Sequence, residues 1–170
     1  MMCGITGTPG TGKSVVAEEL ARRGHTVVHL AAIVQPYVIG EDEKRDTRVI
    51  DMDRLAAEFK PFEGFVEGHF AHLLPCDRVV VLRCRPDEIG ERLKKRKYGD
   101  MKIRENADAE ALDVCLIETV ERYDPSLIFE LDSTGRDPVY CADRIELFTK
   151  GAIPASFGAI DWSSFAGVRT

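Results

Sequence analysis

Eight consecutive residues, Gly7-Thr8-Pro9-Gly10-Thr11-Gly12-Lys13-Ser14, satisfy the spacing G-x-x-x-x-G-K-[ST]. A plain turn needs one or two pliable residues, and it has no use for a lysine and a serine at a fixed distance behind the first glycine. Phosphate does. Glycines let successive backbone N–H groups curl toward one point, and a helix starting there adds the positive end of its dipole. In that arrangement Gly10, Thr11 and Gly12 supply amides, Lys13 reaches the β- and γ-phosphates, and the Ser14 hydroxyl sits on Mg²⁺. The ligands this chemistry calls for are ATP and Mg²⁺.

A phosphate loop of this kind needs an acidic partner at the end of a neighbouring buried strand. The stretch FVEGHF supplies Glu67, followed two residues later by His69. Glu67 could act on the metal through a bound water or orient the attacking group; His69 could bond a phosphate or position water. Both could also be strand-end residues with local hydrogen bonds. His25, His29 and His72 lack a comparable context, and no third ligand lies near His69 and His72 for zinc.

Transferring charge also calls for cations. In ERLKKRKYGDMK, Arg92 and Arg96 are four apart on one helical face, with Lys102 and Arg104 beyond. Arg96 is the candidate clamp on the moving group, against the alternative of a solvated basic face at a helix end. The polar turn Asp132-Ser133-Thr134-Gly135-Arg136 either borders the nucleotide base through Thr134 or caps the following helix.

The elements that would position these residues alternate. Short apolar runs near 1–6, 26–30, 64–67, 78–83 and 127–131 read as strands, and 13–23, 52–59, 86–96, 107–123 and 137–150 as helices. That order predicts an α/β fold: a five-stranded parallel sheet with helices on both faces, in three layers. Two segments break the alternation. Residues 31–50, with EDEKRDTR, and 97–106, KYGDMKIREN, read as flaps over the carboxyl ends of the strands, the second as a polar loop. The tail, 151–170, is too apolar for a free linker and is expected to dock.

At 170 residues the chain suits one domain, 1–170. A net charge of −6 argues against a body built to hold DNA or RNA. Five cysteines without a CxxC pair read as free thiols in a reducing cytoplasm. The first apolar run ends after six residues, unlike a signal peptide, and no membrane span is expected.

Taken together, GTPGTGKS, the strand-end EGH, VVVLRCRP, and RKY followed by EN resemble the adenylate kinase isoenzyme 6 family over roughly residues 1–150. The resemblance implies a P-loop NTPase fold of nucleoside monophosphate kinase type, with a short monophosphate-binding flap and a small lid. It implies ATP-dependent phosphorylation of AMP, ATPase activity, and a role in maturing the small ribosomal subunit through ribosomal protein uS11. By motif match Gly10, Gly12, Lys13 and Ser14 would bind nucleotide, Glu67 and His69 form the acid-x-His pair, and Arg96 is the lid arginine. One departure matters. Where such kinases carry an aspartate and an arginine in the flap, this chain has Ala32 and Gln35. A lost charge-assisted contact there is worth roughly 1.5–3 kcal/mol, unless Arg45 or Arg48 substitutes.

Overall fold

The computed structural model describes residues 1–42 and 47–167. Five strands form a parallel sheet: β1 (Met2–Thr6), β2 (Val27–His29), β5 (Gly64–Glu67), β6 (Arg78–Arg83) and β7 (Ile128–Asp132). Their spatial order is β2-β5-β1-β6-β7, so the glycine-rich loop leaves the central strand. Residues alternate across the sheet as a pleat requires. Val80 and Leu82 of β6 face one core with Val16, Leu20, Ile145 and Phe148; Val79 and Val81 face another with Cys115 and Leu116. The first layer is α1 (Lys13–Arg22) with α7 (Pro138–Thr149); the second includes α6 (Val114–Val120).

Helix ends follow local chemistry. Pro138 opens α7, and the Asp137 carboxylate accepts from the Tyr140 N–H at 2.7 Å, satisfying an otherwise unpaired first-turn amide. Asp137→Ala is expected to cost about 1 kcal/mol in urea unfolding, with Asp137→Asn recovering most of it. An alanine variant as stable as wild type would show the cap to be idle.

Two parts of the sequence reading need correction. The polar stretch 97–106 is not a loop: α5 spans Asp100–Ala111, packed against α4 (Pro86–Lys95), leaving only a tight turn around Arg96–Gly99. Ile103, Ala107 and Ala111 bury its inner face. The helix read over 107–123 is broken instead, because Asp113 adopts a left-handed φ of 57° between α5 and α6. The flap around 31–50 is built, among its described residues, from short regular elements. It holds α2 (Leu30–Ile33), a 3-10 turn at Gln35–Tyr37, and an antiparallel hairpin of β3 (Val38–Asp42) and β4 (Thr47–Ile50), followed by α3 (Met52–Glu58).

The tail docks on the sheet as its composition suggests. Ser156 forms a parallel bridge with Phe129, exchanging backbone hydrogen bonds with Ile128 and Glu130 at 3.1 and 2.8 Å. Ile153 and Ala155 pack on one core and Phe157 on another.

Candidate active site

The loop between β1 and α1 is shaped by backbone contacts. Gly7 (φ 141°) lies where a Cβ would come within 2.3 Å of the Leu82 carbonyl oxygen, so no larger residue fits. Gly12, left-handed at φ 97°, begins α1 without a side-chain cap, and the first turn carries no acidic residue. The opening amides of α1 are therefore left to an external anion. Lys13 is buried, and its Nζ donates to the carbonyls of Gly7 (2.8 Å) and Thr8 (3.0 Å). Burial pulls its pKa below the ordinary lysine range, against the pull of the nearby Glu67 and Glu110 carboxylates. These residues fit a polyphosphate.

Glu67 ends β5 beside β1, and its Oε1 lies 3.4 Å from the Ser14 hydroxyl. Hydroxyl and carboxylate thus face one point suited to Mg²⁺, whose other ligands would be phosphate oxygens and water. Among the described residues no cluster of three or more His, Cys, Asp or Glu could hold a metal. His29, at the end of β2 and in register with Glu67, places Nδ1 2.8 Å from that same Oε1. His69 donates Nδ1–H to the Gly7 carbonyl at 3.1 Å, which leaves Nε2 as the acceptor nitrogen. Burial lowers the His69 pKa and so favours the neutral ring. One carbonyl, that of Gly7, therefore gathers both Lys13 and His69.

Two cavities meet at this loop. The larger, about 470 Å³, runs from Gly10, Lys13 and Ser14 past Glu67 and His69 to the hairpin, where Arg48 and Ile50 line it. The smaller, about 290 Å³, lies between Gly10–Gly12 and the start of α7, lined by Arg92, Ser133 and Arg136. Arg96 lines both. The Thr134 hydroxyl instead accepts from the Arg85 N–H at 2.9 Å, and its neighbour Ser133 faces the smaller cavity while bonding the Thr11 carbonyl at 2.7 Å. Arg92 reaches Gly10 O at 3.0 Å and fixes the loop from α4. In the flap, Ala31 rather than Ala32 lines the larger cavity, and Gln35 accepts a hydrogen bond from Arg48. Arg45 lies outside the described residues.

Sequence reasoning missed the buried support. Arg83, 1% exposed, bonds Glu110 at 2.7 Å and also pairs with Glu130 and Asp113. Burial works against its charge, but the Glu110 and Asp113 carboxylates raise its pKa. Glu110 in turn accepts from the Thr8 hydroxyl at 2.6 Å, tying the phosphate loop to α5. The signal was an arginine inside the apolar run VVVLRC.

Comparison with known proteins places this geometry. A family model described as an AAA domain matches residues 3–113. A protein named "Putative adenylate kinase" from Archaeoglobus fulgidus is 41% identical over 168 residues, covering 96% of this chain and 93% of the relative. One of the same name from Pyrococcus furiosus is 39% identical over 168 residues, covering 96% and 92%. The chain belongs to this adenylate kinase family.

Membership in the family makes the protein a phosphotransferase. Solved structures share the family's fold. A deoxyadenosine kinase from M. mycoides superposes with a TM-score of 0.62 at 16% identity, covering 90% of this chain and 100% of that one. A sugar kinase from Janibacter sp. HTCC2649 gives 0.56 at 15% identity, covering 88% and 94%. Among the described residues, no helix is long and apolar enough to cross a membrane.

Proposed function

We propose that the protein transfers the γ-phosphoryl group of MgATP to a nucleoside monophosphate, with AMP as the leading acceptor. One observation carries the reading: the phosphate loop separates two cavities, and Arg96 lines both. The smaller cavity takes the ATP base and ribose; the larger takes the acceptor. An oxygen of the acceptor phosphate attacks Pγ as the bond from Pγ to the β,γ-bridging oxygen breaks, and ADP leaves on the donor side.

The chain's own groups act by placement and charge. Lys13 and the α1 amides hold the β- and γ-phosphates, Ser14 and Glu67 hold the Mg²⁺ that arrives with ATP, and Arg96 meets the charge in transit. Neutral His69 offers an acceptor nitrogen beside the reacting groups. The names of the relatives support AMP as acceptor. The single-domain organisation, 1–170, and a cytoplasmic setting belong to the same reading. The ribosomal partner uS11 and the pre-ribosome enter as implications of the family resemblance; the cavity itself calls for a small acceptor.

The test incubates purified protein with MgATP alone and with each of AMP, CMP, GMP and UMP, following ADP and free phosphate separately. ADP that appears with a monophosphate, without matching phosphate release, supports transfer. Steady phosphate release that no monophosphate alters would replace transfer with ATP hydrolysis. Within this scheme His69→Ala is expected to lower kcat roughly ten- to a hundredfold, with the KM for ATP changed less than about twofold. A raised KM at unchanged kcat would reduce His69 to a binding contact.

A further inference from the structure

His29 ends β2 and stands at the N-cap position of α2, yet its ring makes no capping hydrogen bond there. It turns to Glu67 instead. The two residues are in register on neighbouring parallel strands, where paired positions project to one face, so the sheet itself brings the imidazole to the carboxylate. An ionised carboxylate only accepts, and the contact is therefore Nδ1–H donating to Oε1 at 2.8 Å. The Ser14 hydroxyl lies on the same oxygen, at 3.4 Å. Among the described residues both donors thus meet Oε1, which leaves Oε2 for a metal or for a water bound to it. Glu67 is 5% exposed, so little solvent is at hand to orient its carboxylate. The terminal torsion of a glutamate is broad, and without a donor fixing one oxygen the other has no set direction.

We propose that His29 is a positioning residue, one that holds Glu67 through Oε1 and fixes its carboxylate for the Mg²⁺ that arrives with ATP. The proposal rests on Glu67 serving the metal, and not on which monophosphate accepts the phosphoryl group. Strand ladders anchor both partners, so the bond forms with few torsions left to freeze. Nδ1, the ring nitrogen nearer the backbone, makes the contact. A donor of asparagine length therefore replaces the ring, and one of glutamine length overshoots.

The experiment measures Mn²⁺ binding by electron paramagnetic resonance on the full chain with the non-hydrolysable analogue AMPPNP, beside calorimetric binding of AMPPNP in EDTA. In His29→Ala the Kd for Mn²⁺ is expected to rise about 3- to 30-fold, less than for a dry contact because the ring is 38% exposed. AMPPNP affinity without metal should stay within about twofold of wild type, since His29 lines neither cavity at the phosphate loop. His29→Asn should keep Mn²⁺ affinity within about threefold of wild type, whereas His29→Gln should bind as weakly as His29→Ala. In a Glu67→Gln background, His29→Ala should change Mn²⁺ affinity by less than about twofold, because the two residues act as one unit. A part-exposed position tolerates these changes, and circular dichroism checks the fold.

A Mn²⁺ affinity in His29→Ala within about twofold of wild type overturns the assignment. So does a loss in His29→Asn equal to that in His29→Ala, or an equal loss of metal-free AMPPNP, since either would mark a structural role. If wild type transfers nothing to any monophosphate, the transfer reading falls on turnover, and the Mn²⁺ comparison still decides the role of His29. Wild-type protein that takes up no Mn²⁺ with AMPPNP overturns it outright.

Discussion

Lys13→Ala is expected to reduce phosphoryl transfer about a thousandfold, the largest loss from any single side chain in the site. The ammonium is buried and donates to the carbonyls of Gly7 and Thr8, so it is fixed at the loop before a phosphate reaches it. A cation held in that way needs no reorganisation as charge builds on the β,γ-bridging oxygen. Its removal also frees the Gly7 carbonyl, which anchors His69. Lys13→Arg should recover little, because a planar fork does not fit a pocket built for a compact ammonium. The measurement is kcat/KM for ATP together with circular dichroism to confirm folding. A folded alanine variant with more than a tenth of wild-type kcat would remove Lys13 from the chemistry.

The largest effect on stability is expected at Arg83. Arg83→Met should cost about 3–5 kcal/mol in urea unfolding, because it leaves Glu110 and Glu130 buried with their charge uncompensated. Methionine retains much of the volume, so the loss reports charge rather than a void. The same change loosens the phosphate loop, since Glu110 also holds the Thr8 hydroxyl and the Cys84 N–H. Replacing Arg83, Glu110 and Glu130 together by apolar residues should recover part of the stability but not the ATP affinity. A cost below about 1 kcal/mol for Arg83→Met would mean that the carboxylates find other donors or take up protons.

The comparison of sequence with structure divides along physical lines. GTPGTGKS announces its geometry because only a few backbone paths suit glycines at those spacings, and β1, β5 and β6 announce theirs by unbroken apolar runs. Glu67 was legible because it ends such a run. His29 ends one too, in VVH, but its pairing with Glu67 depends on β2 lying beside β5, which strand order alone does not declare. The helix Asp100–Ala111 was concealed because charged residues fill its outer face and only Ile103, Ala107, Glu110 and Ala111 turn inward. Glu110 is the instructive case. A buried glutamate in a polar stretch looks like every exposed one until Arg83 and Thr8 are seen to converge on it. The hairpin escaped notice for a related reason, since exposed strands such as β3 bury little and so carry a weak alternation.

Ser156 gives the fold a further property. By adding one rung beyond β7, the tail occupies backbone donors and acceptors that a terminal strand would otherwise hold out to any other extended chain. Gly158 secures the same spot through its N–H to Glu130, a carboxylate shared with Arg83. Shortening the polypeptide ahead of Ile153 would therefore bare a sticky seam and unbalance the interior charges at one stroke, making self-association the first symptom of truncation.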